Sequence, residues 1–165
     1  MSQSKESFHQ TLKRGCEFEK IVFDFLLTQD GFTIMQTHDF KTEQYNGPRL
    51  YSKDNPSGTI LPDFYVLSST GNNFFVEAKL KKKPFRLVGR FEDYVAIDYK
   101  RVHDYRKAAG QFNADLFFCI GIESTDNVYL IPDDDNQFIK HKFNNQFSNG
   151  LSLCLPLDSQ FLINK

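Results

Sequence analysis

Apolar residues recur at helical spacing near the start of the chain, where Leu12, Gly15, Cys16, Val22, Phe23 and Leu26 fall on one stripe. The pattern predicts a helix over 10–29, ended by the turn "QDGF", in which Gly31 can take the left-handed conformation. Beyond it the period shortens to two. "FTIMQTHDF" (32–40) alternates as a first strand, and "TILPDFYVL" (59–67) and "NFFVEAKL" (73–80) read as two more, joined as a hairpin by "SSTGN". The stretch between them, 41–58, is polar and rich in turn residues, so it reads as a long loop or irregular arm. A connector over 81–93 leads into a second helix at about 94–110, closed by Gly110. "DLFFCIGI" (115–122) is apolar on both alternating faces, as a buried strand is, and "NVYLIP" (127–132) reads as another. Residues 133–165 carry no clear period and are set apart as a C-terminal extension. The order predicts one α/β domain, its core over about 10–132 and its central mixed sheet flanked by helices.

Composition narrows the setting. A chain of 165 residues, 40% of them hydrophobic, can bury one core. Cys16, Cys119 and Cys154 are widely spaced with no CxxC pair, which suits reduced thiols in a cytoplasmic protein rather than a disulfide scaffold or zinc ribbon. No signal peptide opens the sequence, and the longest apolar run, "LFFCIGI", is too short to span a bilayer, so no membrane partner is expected. The four histidines are scattered, and neither a GxSxG elbow, a Walker loop nor GxGxxG is present.

Against that background the charges in the hairpin stand out. Alternation puts Phe75, Glu77 and Lys79 on one face of their strand and Phe74, Val76, Ala78 and Leu80 on the other. If the two strands pair, Asp63 lies close to Glu77. Two carboxylates at such range repel unless a cation stands between them. Oxygen-only ligands select a hard ion, Mg²⁺ with Mn²⁺ as substitute. Lys79, on the same face, can bind an attacking water or a developing negative charge, which suits metal-assisted hydrolysis of a phosphate ester. Edge strands also carry Lys and Glu simply to deter aggregation, so the pattern has a structural explanation as well.

Glu19 lies within the apolar stripe of the first helix, while Glu17 falls on the opposite side beside Lys13. An inward carboxylate is costly unless paired. Either a core-facing lysine or arginine neutralises Glu19, or Glu19 completes the acidic site.

These residues together resemble the PD-(D/E)xK nuclease superfamily, in its Holliday-junction-resolvase-like branch, over roughly residues 10–122. The motif stands as "PDF" at 62–64 and "VEAK" at 76–79, preceded by "GCEFEKIVFDFLLTQDGF" with Gly15 and Glu19 in register. The resemblance implies a restriction-endonuclease-like αβββαβ core in which Asp63 and Glu77 bind magnesium and Lys79 orients water. It further implies the backbone carbonyl of Ala78 as a ligand, and Glu19 as the helix carboxylate that reaches the ion or its water. Many members carry Gln, or Gln-x-x-x-Tyr, on the next helix; here that region holds Lys100 and Tyr105, with no glutamine before Gln111.

Charge is segregated. Residues 79–107 hold ten Lys or Arg against four acids, a local +6 in a chain whose net charge is −1. Lys81, Lys82, Lys83, Arg86, Arg90, Lys100 and Arg101 are therefore the expected nucleic-acid contacts. Among the interleaved aromatics, Phe91 and Tyr94 are expected in the core. The acidic run 133–135 reads as a solvated turn. The expected activity is Mg²⁺-dependent endonuclease cleavage of DNA, with branched or structured DNA in view and RNA still open. The alternatives are a non-catalytic binding module that retains the fold, or an adaptor for an acidic protein. Many two-strand cutters are dimers, and a homodimer stays open here too.

Overall fold

The computed structural model describes residues 8–37, 48–143 and 150–163. The chain runs α1 (Phe8–Leu27), β1 (Phe32–Gln36), β2 (Arg49–Ser52), β3 (Asn55–Ile60), β4 (Phe64–Ser68), β5 (Phe74–Lys81), β6 (Phe85–Arg86), β7 (Asp93–Asp98), α2 (Tyr99–Phe112), β8 (Asp115–Ile122), β9 (Asn127–Pro132), β10 (Ile139–Lys142), β11 (Leu151–Pro156) and a closing 3-10 turn (Ser159–Phe161). Five strands form a mixed sheet in the order β1-β4-β5-β8-β9. Within it β1, β4 and β5 are an antiparallel meander, β8 lies parallel to β5, and β9 returns antiparallel. A parallel pair requires a crossover, and α2 supplies it. The helix therefore starts beyond the C-terminal end of β5 and runs back along it. Tyr105 meets Glu77, and seven residues later Phe112 meets Phe75, ring centroids 5.3 Å apart.

Strand alternation sorts the sheet's two faces as the sequence predicts. On one, Phe64, Val66, Val76, Ala78 and Cys119 receive Phe18, Val22 and Leu26 of α1. Gly121 on β8 permits that approach, since a Cβ there would stand 2.5 Å from the Phe18 ring. On the other face, Tyr65, Phe75, Phe118, Ile120 and Ile131 pack with Val102, Tyr105 and Ala109 of α2. The same core takes Val95, Ile97, Leu153 and Leu155 from a second, four-stranded sheet in the order β10-β11-β7-β6.

Several boundaries differ from the sequence reading. The first strand ends at Gln36; residues 38–40 lie outside the described residues. The arm over 41–58 contains, from residue 49 on, the β2–β3 hairpin, while 41–47 lie outside the described residues. Its strands are largely exposed, so they show no apolar alternation. The strand expected over 59–67 is two strands, broken at Leu61–Asp63, where Pro62 has no N–H for a ladder. Residues 94–98 are strand rather than helix, and Asp98 caps α2 by accepting from the Arg101 N–H at 3.1 Å. Gly110 lies inside α2, which Asn113 closes in the left-handed conformation at φ 48°. The region after 132 is no appendage. Its β11 pairs with β7 and buries Leu153, Cys154 and Leu155, and each such leucine contributes about 1.5–3 kcal/mol of apolar burial. No helix among the described residues is long and apolar enough to cross a membrane.

Candidate active site

β4 and β5 pair with Phe64 opposite Val76 and Tyr65 opposite Phe75. One step further in that register sets Asp63 against Glu77. Pairing of the strands stops there because Pro62 precedes, but the backbone is clamped from β1's side. Thr37 N donates to the Asp63 carbonyl at 3.0 Å, and Thr37 Oγ1 donates to the Pro62 carbonyl at 2.6 Å. Asp63 is only 6% exposed, and its Oδ2 accepts from the Ala78 N–H at 2.7 Å.

Glu77 is 1% exposed in the middle of a core strand. Its Oε1 accepts from Tyr105 Oη at 2.6 Å and from the Lys79 ammonium, whose side chain is 36% exposed. Its Oε2 is buried with no hydrogen-bond partner among the described residues. A buried carboxylate oxygen without a donor is costly, by several kcal/mol in an apolar setting, and a bound cation is one way to offset it.

The field of the site joins residues from three elements. Burial works against the charged form of Lys79, but Glu77 first, then Asp63 and Glu19, hold its pKa above the usual lysine value. Burial, then the charges of Glu77 and Asp63, push the Tyr105 phenol up, so it is a neutral donor to Glu77. Burial followed by Glu19 and Asp63 raises the Cys16 thiol on α1. Half-buried Glu19 thus shares an electrostatic neighbourhood with Asp63, and its charge also acts on Lys79. Among the described residues, no three His, Cys, Asp or Glu side chains gather closely enough to hold a metal ion. The available donors are carboxylate oxygens, one of them orphaned, and that chemistry fits a hard divalent ion.

Lys81 follows Lys79 on the same strand face, and burial together with the Lys79 charge lowers its pKa. Lys82, Lys83, Arg86 and Arg90 are exposed beyond it, Arg86 paired with Asp93 at 2.9 Å. Exposed Lys100 and Arg101 occupy the first turn of α2. There they line a cleft of about 520 Å³ with Lys107 and with Arg49 of the β2–β3 hairpin, the last unforeseen in the sequence. Arg106 faces elsewhere, forking onto Asp133 at 2.6 and 2.7 Å and reaching Asp135 at 2.7 Å, so an arginine ties down the acidic run although the Asp135 side chain stays 71% exposed, as in a solvated turn. Tyr94 is buried as expected; Phe91 is not, standing 93% exposed beside the turn between β6 and β7. Tyr105 is the site residue that sequence reasoning missed. Its helical spacing with Val102 and Ala109 marks it as buried on α2 but gives no sign of its partner.

No family model and no curated protein matches the sequence. Among solved structures, the fold is similar to that of the Holliday junction resolvase of the archaeal hyperthermophile Archaeoglobus fulgidus, with a TM-score of 0.54, 12% identity, and coverage of 87% of this chain and 84% of that one. The likeness is one of fold: a mixed α/β architecture with a central mixed sheet and two helices.

Proposed function

We propose that this chain is a metal-dependent endonuclease of the PD-(D/E)xK kind that hydrolyses phosphodiester bonds in branched DNA. In this reading α1, β1, β4, β5, α2 and β8 are the αβββαβ core, and β2–β3 and β6–β7 are insertions. The observation that carries it is the orphaned Oε2 of Glu77, buried on the strand that also carries Lys79 and in register with Asp63. The fold likeness to a Holliday junction resolvase supports branched DNA as the substrate.

Asp63, Glu77 and the Ala78 carbonyl would hold Mg²⁺, or Mn²⁺ in its place, and Glu19, which does not gather with the other two acids in this structure, would add its charge from α1. Bound there, the ion supplies Lewis-acid stabilisation of the charge that builds on the phosphate. Tyr105 anchors Glu77 through Oε1, which leaves Oε2 to the ion. Lys79, kept protonated by its acidic neighbours, donates to the attacking water or to a phosphate oxygen. The water attacks phosphorus in line while the bond to the departing sugar oxygen breaks, and the proton the water loses ends on that sugar oxygen, leaving a hydroxyl and a phosphate monoester. Lys81, Lys82, Lys83, Lys100 and Arg101 meet the flanking phosphates, because the crossover brings the start of α2 to the end of β5.

The test is a panel of linear duplex, flap, four-way junction and single-stranded DNA, with RNA counterparts, in Mg²⁺, Mn²⁺ or EDTA. Branched DNA should be cut in either metal and left intact in EDTA. Cleavage undiminished by EDTA would overturn the mechanism, and a preference for RNA would overturn the substrate.

A binding module without catalysis is the second reading. It is favoured by the engagement of Asp63 with the Ala78 N–H and of Glu77 Oε1 with Lys79. A calorimetric titration that shows no Mn²⁺ binding, in a protein that still grips junctions, would select it.

A further inference from the structure

Past Lys79 the chain continues through Lys81, Lys82 and Lys83 into β6, turns, and returns along β7 to the start of α2. The resulting hairpin is thus tethered at one end to the strand that carries Glu77 and at the other to the helix that carries Tyr105. Its base is fixed: Phe85 pairs with Tyr94 and Arg86 with Asp93, and Tyr94 is buried. Its turn is tight, with Arg90 N donating to the Leu87 carbonyl at 3.0 Å and Gly89 at φ +77°. The tip nevertheless holds two apolar side chains in solvent, Val88 at 105% and Phe91 at 93% exposure, the highest of the large hydrophobics described.

The same connector carries the exposed cations Lys82, Lys83, Arg86 and Arg90. The adjacent acids are engaged, Asp93 by Arg86 and Glu92 by the Tyr94 hydroxyl at 3.4 Å. Two side chains offer far less area than the roughly 800 Å² per partner that a stable protein interface buries. An apolar point on a cationic connector has instead the composition of a wedge that enters between bases while its surroundings hold phosphates. At no more than about 3.4 Å per residue, Val88 lies within roughly 31 Å of Lys79 and Phe91 within roughly 41 Å, on the order of one turn of duplex.

We propose that the β6–β7 tip is a base-step wedge. Phe91, with Val88 beside it, inserts where DNA strands part at a branch point, while Lys82, Lys83 and Arg90 hold the flanking backbones. This rests on the nuclease reading and deepens it by making the branch point the feature recognised.

The test is binding in EDTA, where no cleavage is needed, to a four-way junction with 2-aminopurine at the branch and to a linear duplex of equal length. The wild-type chain should raise the branch fluorescence. Phe91→Ala should abolish that rise and weaken junction binding about tenfold, with duplex binding changed less than about twofold, and Phe91→Tyr should restore both. The exposure of Phe91 makes the substitution neutral for folding, which a urea melt verifies. Phe91→Ala that binds and lights the junction as wild type does, or that loses junction and duplex equally, would overturn the wedge and leave the nuclease reading standing. So would Phe91-dependent self-association on sedimentation, or Phe91-dependent flotation with anionic vesicles, in a protein whose branch fluorescence does not change. A wild-type chain that binds no DNA of any shape would overturn both.

Discussion

Glu77 occupies a position that the strand pattern would assign to a hydrophobic residue, and two neighbours decide what its charge can do. Tyr105 and Lys79 both act on Oε1, and nothing described here donates to Oε2. Removing the Tyr105 hydroxyl should leave the fold standing and let the carboxylate turn. We expect Tyr105→Phe to bind DNA normally but to lose roughly 10–100-fold in metal affinity or cleavage rate, as outer contacts of metal ligands commonly do. Metal titration by calorimetry beside a rate measurement checks it; unchanged values in both would remove Tyr105 from the site. Asp63, Glu77 and Lys79 were legible in the sequence because their chemistry lies on adjoining strands whose register a short hairpin sets. Tyr105 was not, because a tyrosine on an apolar helical stripe reads as core and its partner is 28 positions away. Phe91 was misplaced for a related reason: the few apolar residues of the connector, Phe85, Leu87, Val88 and Phe91, keep no period to say which side each faces.

α1 serves the site only if it is seated on the sheet, and the seat is Gly121 under Phe18. In open space a strand Gly→Ala would stabilise by lowering the entropy of the unfolded chain. Here the added methyl would meet Phe18 at 2.5 Å and Leu80 at 3.0 Å. Gly121→Ala should therefore destabilise by about 1–3 kcal/mol in urea denaturation. A stabilised variant would show that α1 is not packed in this way. α1, β5, β8 and β9 could be read from the sequence because each buries a regular face. β2, β3 and β10 could not, since they are largely exposed and polar. β7 was absorbed into the following helix because its apolar residues run directly into those of α2, and only the cap at Asp98 marks the boundary.

On the scale of the whole molecule, the near-zero net charge conceals a division of labour. The cations of 79–107 gather largely where β5 ends and α2 begins, next to the acidic site, although Arg86 and Arg106 are committed to ion pairs. The second sheet holds this arrangement, since β11 from the far end of the chain pairs with the strand that leads into α2. In the proposed reading, a cation bound between them would reconcile a phosphate-rich substrate with the acidic pocket. Single-turnover cleavage of a labelled four-way junction in Mg²⁺, by wild type and by Glu77→Gln, each saturated with DNA, tests that most directly. The substitution keeps the shape and removes the charge. A fall of at least about a hundredfold, or ~2.7 kcal/mol of transition-state stabilisation, is the expected result. A Glu77→Gln protein that cuts at the wild-type rate would contradict it.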